Sequence, residues 1–203
     1  MTREDTFSYT KFLFLDEELW LLPEKAIFLP QRSALLLADL HIGKSGHFRQ
    51  HGIPISAGVM DRDLAQLDRL YQHYQPEKTY FLGDLFHSVY NKEWDHFCKL
   101  MCNWENEKIL IKGNHDILKD HHYVQAELIV KESEVLGPFL LQHEPLSAEA
   151  HSTHYVLAGH IHPGVGLIGG GRQKLRLPCF HFDQRQAVLP AFGHFTGLYI
   201  IEP

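Results

Sequence analysis

Residues 34–41 read Ala34-Leu35-Leu36-Leu37-Ala38-Asp39-Leu40-His41. Five apolar residues in a row are too few for a helix and continuous enough for a strand buried on both faces. The run then stops on Asp39 and His41, two residue types that bind metals. The same grammar returns along the chain: Tyr80-Phe81-Leu82 before Asp84, Ile109-Leu110-Ile111 before Asn114 and His115, Phe139-Leu140-Leu141 before His143, and Val156-Leu157-Ala158 before His160 and His162. In layered α/β folds, side chains leaving the carboxyl ends of neighbouring strands converge. One such histidine is an ordinary surface or capping residue. Strand end after strand end bearing Asp, Asn and His points instead to a metal centre.

Between these strands, Met60, Leu64, Leu67, Leu70, Tyr71 and Tyr74 recur at helical spacing, and Pro76 stops the helix they predict. Trp94, Phe97, Met101 and Trp104 mark a second helix, where the helical pattern around Cys98 and Cys102 favours packing over nucleophilic use. Ahead of residue 30, short apolar runs cut by charges and prolines read as strands at a sheet edge. Beyond residue 120 the apolar runs shorten and turns multiply, which predicts a strand-rich second sheet or layer. Gly169-Gly170-Gly171, with no helix after it, reads as a hairpin or loop. Strand–helix–strand units followed by strands predict an α/β (α+β) layered fold, and 203 residues suit one domain over 1–203.

Composition restricts the setting. A 44% hydrophobic, 22% charged chain is globular rather than disordered. No apolar stretch is long enough for a membrane helix or a signal peptide. Three cysteines cannot all pair, so a reducing, cytoplasmic location is expected. The net charge of −6 disfavours coating of nucleic acid by the whole surface. Arg172, Lys174 and Arg176 alternate along one stretch, so a strand there would offer three cations on one face to a phosphate backbone. An ordinary solvated face accounts for them somewhat better.

The seven candidate ligands Asp39, His41, Asp84, Asn114, His143, His160 and His162 exceed the four of a closed structural zinc site. Two sets of three sharing a carboxylate would hold two ions. Ions about 3.5–4 Å apart clamp the entering and leaving oxygens of a displacement at phosphorus. Imidazole, carboxylate and amide without thiolate suit Mn²⁺, Fe²⁺, Zn²⁺ or Ni²⁺ rather than Cu(I) or an iron–sulfur cluster, and Mn²⁺ is the ion expected.

Asp39-x-His41, Gly83-Asp84, Gly113-Asn114-His115-Asp116, His143 and Gly159-His160-x-His162 together resemble the motif ladder of the calcineurin-like metallophosphoesterases. Ala38-Asp39-Leu40-His41-Ile42-Gly43-Lys44, Phe48-Arg49-Gln50-His51-Gly52-Ile53-Pro54 and Leu175-Arg176-Leu177-Pro178-Cys179-Phe180 narrow the resemblance to the bacterial ligase-associated DNA-damage-response phosphoesterases. The resemblance implies a β-sandwich flanked by helices. It implies one ion on Asp39, His41 and His162, a second on Asn114, His143 and His160, and Asp84 between them. His115 would act on the phosphate with Asp116 orienting it, and His87 and Arg49 would line the pocket. His87 stands where many relatives carry an acidic residue or Asn. The implied activity is a metal-dependent phosphodiesterase or nuclease in DNA repair, beside an ATP-dependent DNA ligase, a helicase and an exonuclease-like partner.

Other readings stay open at this stage. Small nucleotide or aryl phosphodiesters are alternative substrates, and a non-catalytic metal-bearing scaffold in a repair complex is an alternative role. Gly43-Lys44-Ser45 imitates the end of a P-loop, but Ala38 stands where the pattern needs glycine. No G-x-S-x-G elbow supports serine hydrolysis.

Overall fold

The structure is a computed structural model, described for residues 8–44, 58–87 and 90–201. β1 (Thr10–Phe14), β2 (Glu17–Leu22), β3 (Ala26–Leu29) and β4 (Ala34–Leu37) run as an antiparallel meander. α1 (Gly58–Tyr74) leads to β5 (Lys78–Leu82), α2 (Lys92–Met101) to β6 (Glu107–Ile111), and α3 (Asp120–Gln125) to β7 (Leu128–Lys131). These last three strands extend the meander in parallel, in the order β1 to β7. The chain then forms β8 (Glu134–Leu136), β9 (Phe139–Leu141), β10 (Tyr155–Ala158), β11 (Pro163–Ile168), β12 (Lys174–Pro178), β13 (His181–Phe182), β14 (Gln186–Val188) and β15 (Tyr199–Ile200). Five of them make a second sheet, β13-β14-β10-β9-β8, and three a small sheet, β12-β11-β15.

Period-two alternation separates two cores. Leu35, Leu37, Phe81 and Leu110 face the helices and meet Leu64, Leu67, Leu70, Trp94 and Phe97. Their neighbours Leu36, Tyr80, Leu82, Ile109 and Ile111 face the second sheet and meet Phe139, Leu141, Leu157 and Leu189. The central strands β3 to β6 of the first sheet are therefore buried on both faces, which is why they read as continuous apolar runs. The molecule is an α/β layered structure, helices on a sheet on a sheet, with no helix among the described residues long and apolar enough to cross a membrane.

Three local expectations are corrected. Trp104 lies beyond α2, which ends at Met101. It folds back to stack on Tyr71 at 4.2 Å and to donate its indole N–H to Asp68 Oδ1 at 3.1 Å. Cys98 is buried, but Cys102 caps the helix and is exposed. Arg172 ends the Gly170–Arg172 turn rather than lying in a strand, because Gly171 takes a positive φ of 71° there. Lys174 and Arg176 do share one face of β12, paired with Ile168 and Gly166. The side chain of Arg172 lies outside what is described.

Candidate metal centre

The strands β4, β5 and β6 of the first sheet and β9 and β10 of the second end at the same place. Beyond the sheet the loops stay laddered: Asp39 N–H donates to the Gly83 carbonyl at 3.1 Å, His41 N–H to Asp84 O at 2.9 Å, and Gly159 N–H to His143 O at 3.0 Å. Asp39, His41, Asp84, His160 and His162 all hold positive φ, between 49° and 73°. Such conformations cost non-glycine residues free energy and concentrate at functional sites.

Two triads result. Asp39, His41 and His162 can bring one ligand atom each to a common point, and so can Asp84, His143 and His160. In the first, His41 Nε2 and His162 Nε2 are 3.1 Å apart and His162 Nε2 lies 3.4 Å from Asp39 Oδ1. In the second, His143 Nε2 is 3.3 Å from Asp84 Oδ1, 3.1 Å from His160 Nδ1 and 3.2 Å from Asn114 Oδ1. Asp84 joins the two, since its Oδ2 stands 3.9 Å from His41 Nε2.

The residues fit divalent ions. His143 Nδ1 is 2.9 Å from the Leu82 carbonyl, which can only accept, so Nδ1 carries the proton and Nε2 presents a lone pair. That lone pair faces two oxygens of Asp84 and Asn114, an arrangement that repels unless a cation lies between them. Asp39 Oδ1 is buried without a hydrogen bond, whereas buried acceptors are nearly always paired. Burial first, then the charges of His162, His87, Lys44 and His115, push His41 down to about 2, which keeps its imidazole in the neutral, ligating form. Two His/Asp triads thus form a candidate dinuclear site.

The remaining expected residues are placed as follows. The half-buried His115 donates its main-chain N–H to Asp84 Oδ1 at 3.0 Å, and its ring lies 4.2 Å from that of His87. His87 Nδ1 in turn meets His41 Nδ1 at 3.1 Å, so His87 backs a member of the first triad. Asp116 has other partners than the His115 ring. Its Oδ1 accepts from Leu85 N–H at 2.9 Å and Phe86 N–H at 3.2 Å, and its Oδ2 from Gly113 N–H at 2.8 Å. Burial pushes this carboxyl up to about 6 against the pull of those main-chain bonds. Asp116 therefore ties the loop after β5 to the loop after β6. Arg49 lies outside the described residues.

Residues 189–193 also carry the family resemblance, but sequence reading gave no role to the strap they form, which holds the Asp39 loop from outside. Phe192 N–H donates to Ala38 O at 2.8 Å and Gly193 N–H to Asp39 O at 3.2 Å. The strap is pinned by buried Asp63 of α1, which accepts from both the main chain and the ring of His194. These partners are 131 residues apart, so no local spacing could announce them.

Gly83 supplies the room that the second triad needs. It holds a φ of +80°, and a Cβ there would fall on the His143 ring. Gly83→Ala is expected to cost about 3 kcal/mol, adding left-handed strain to a steric clash. It should also displace His143 and weaken one metal equivalent. Thermal melts and metal analysis check this, and a variant within about 0.5 kcal/mol of wild type would contradict the placement.

Comparison with known proteins agrees with the geometry. The nuclease MPE of Pseudomonas putida, known from its crystal structure, is 39% identical, with a TM-score of 0.82, over 97% of this chain and 92% of its own. More distant structures are a protein of unknown function from Aquifex aeolicus, AQ665 (16% identity, TM-score 0.46, 64% of this chain and 78% of that one), and the E. coli phosphoesterase Yfce (15%, 0.42, 77% of each). No protein-family model and no curated protein matches the chain.

Proposed function

The chain belongs to the calcineurin-like metallophosphoesterases, and from that premise we propose that it is a Mn²⁺-dependent phosphodiesterase that cleaves DNA. The proposed setting is DNA repair beside an ATP-dependent DNA ligase, with a helicase and an exonuclease-like protein as further partners. One observation carries the reading: the two carboxylate oxygens of Asp84 face one triad each. The similarity to a nuclease over nearly the whole chain supports a nucleic acid as the substrate.

In this reading Asp39, His41 and His162 would hold one ion and Asn114, His143 and His160 the other, with Asp84 shared between them. Four imidazoles beside carboxylate and amide oxygens admit Mn²⁺, Fe²⁺, Zn²⁺ or Ni²⁺, of which Mn²⁺ is the proposed ion. Ions held there supply Lewis acidity, lowering the pKa of water and offsetting charge at phosphorus. The protein's part is positioning. His115, tied by its main chain to Asp84, directs its ring at the phosphate and protonates the departing oxygen. His87 keeps the His41 ring oriented, as outer partners of ligating imidazoles do.

Protein loaded with Mn²⁺ should approach two equivalents by elemental analysis. It should also hydrolyse bis(p-nitrophenyl) phosphate and single-stranded DNA, both activities vanishing on chelation. A stoichiometry that stays at one under saturating metal would overturn the dinuclear reading.

We further assign Lys174 and Arg176, with Arg172 beside them, to the DNA backbone. Replacing all three by Ala should weaken DNA binding and flatten its salt dependence by roughly 0.7 to 0.9 per lost phosphate contact. Hydrolysis of the small diester should be untouched, because it has no distant phosphates. Equal losses on both substrates would make the stripe a support of the fold.

A further inference from the structure

Beside the second triad lies a cleft of about 580 Å³, within the range of small-molecule sites. Part of its lining is Asn114 and His143, so whatever fills it abuts the candidate metal centre. The rest includes Lys112 and Ile117 from the loop after β6, Glu132 just after β7, and Gln142 and Glu144 after β9. None of these five has a part in the proposed chemistry.

Their chemistry is selective. Gln142 Nε2 donates to the Glu144 carbonyl, which fixes the amide and leaves Oε1 as an acceptor. Asp116 also lines the cleft, but main-chain N–H groups take its oxygens; the carboxylates of Glu132 and Glu144 supply the open acceptors, and acidic groups outnumber the single ammonium of Lys112. A second phosphate would be repelled there. Ile117 is 66% exposed, an apolar surface left open among the described residues. The matching ligand is uncharged, has an apolar face, and carries N–H donors at its edge. A nucleobase with an exocyclic amino group has all three properties, since carboxylate and amide oxygens accept from such groups and base faces pack on apolar side chains.

We propose that this cleft holds the nucleobase next to the scissile phosphate and selects adenine, cytosine or guanine over thymine. The proposal rests on the phosphodiesterase reading for what lies beside the cleft, but its chemistry is that of the five lining residues.

Calorimetry on the Mn²⁺-loaded protein tests it, with deoxyadenosine monophosphate, thymidine monophosphate and inorganic phosphate as probes. The adenine nucleotide should bind about tenfold more tightly than the thymine nucleotide, the scale of one good base contact. Glu132→Ala combined with Glu144→Ala should erase that ratio, and Ile117→Ser should weaken both nucleotides while leaving inorganic phosphate unchanged. Because the readout is a ratio, the general gain in anion affinity from removing two carboxylates cancels. Equal binding of the two nucleotides by wild type would overturn the proposal, as would a ratio that survives the double variant. If inorganic phosphate does not bind and no diester is turned over, the functional reading fails. Free deoxyadenosine against free thymidine then still decides the cleft.

Discussion

Asp84→Asn should lower turnover of any phosphodiester by at least about 10³-fold, a loss of some 4 kcal/mol of transition-state stabilisation. Asparagine is the informative replacement. It tolerates the left-handed φ of 49° that Asp84 holds, and its amide oxygen can still accept the His115 N–H. What it removes is the negative charge and the second acceptor: with the oxygen kept at Oδ1, on the His115 N–H and facing His143, the one facing His41 is lost. Metal analysis should therefore fall from two equivalents toward one, with the melting temperature of the metal-free protein nearly unchanged. Asp84→Ala should add a fold defect, from strain at positive φ and a main-chain donor left without its acceptor. Two equivalents and normal turnover in Asp84→Asn would sink the shared-carboxylate reading.

Much of this site can be read from the chain because parallel strands impose a rule. Ligands after β4, β5 and β6 must leave the same end of one sheet, and short apolar runs ending in Asp, Asn or His are visible without any structure. The shorter apolar runs and extra turns beyond residue 120 announce a second sheet, but nothing in them says how it packs on the first. The sandwich came from family resemblance, since its packing depends on alternate residues such as Leu35 and Leu36 choosing opposite cores. Residues whose role is set by distant partners were illegible. Trp104 continues the helical spacing of α2, yet stacking on Tyr71 and bonding to Asp68 hold it outside the helix. Asp116 follows His115 in the chain and so suggests a carboxylate that turns an imidazole. Three main-chain N–H groups on its own and the neighbouring loop take its oxygens instead. Asp63 and His194 had no signal, because side-chain bonds across 131 residues leave no period.

His115→Ala separates chemistry from metal holding. The ring of His115 is not a member of either triad, and only its main-chain N–H touches Asp84, so an alanine there keeps that bond. Both metal equivalents should remain. Turnover of DNA should drop by about 10² to 10³-fold, the usual scale for losing a general acid or a hydrogen-bond donor to developing charge. The leaving group discriminates between those two roles. A DNA alkoxide departs poorly without a proton, whereas p-nitrophenolate departs unaided. If His115 protonates the departing oxygen, the variant should lose far more on DNA than on bis(p-nitrophenyl) phosphate, and the loss should fall on kcat rather than KM. If instead it only stabilises the phosphoryl oxygens, both substrates should lose equally, because that charge develops whatever leaves. A variant that loses one metal equivalent would contradict both roles and place His115 among the ligands, with its ring rather than its main chain holding the centre.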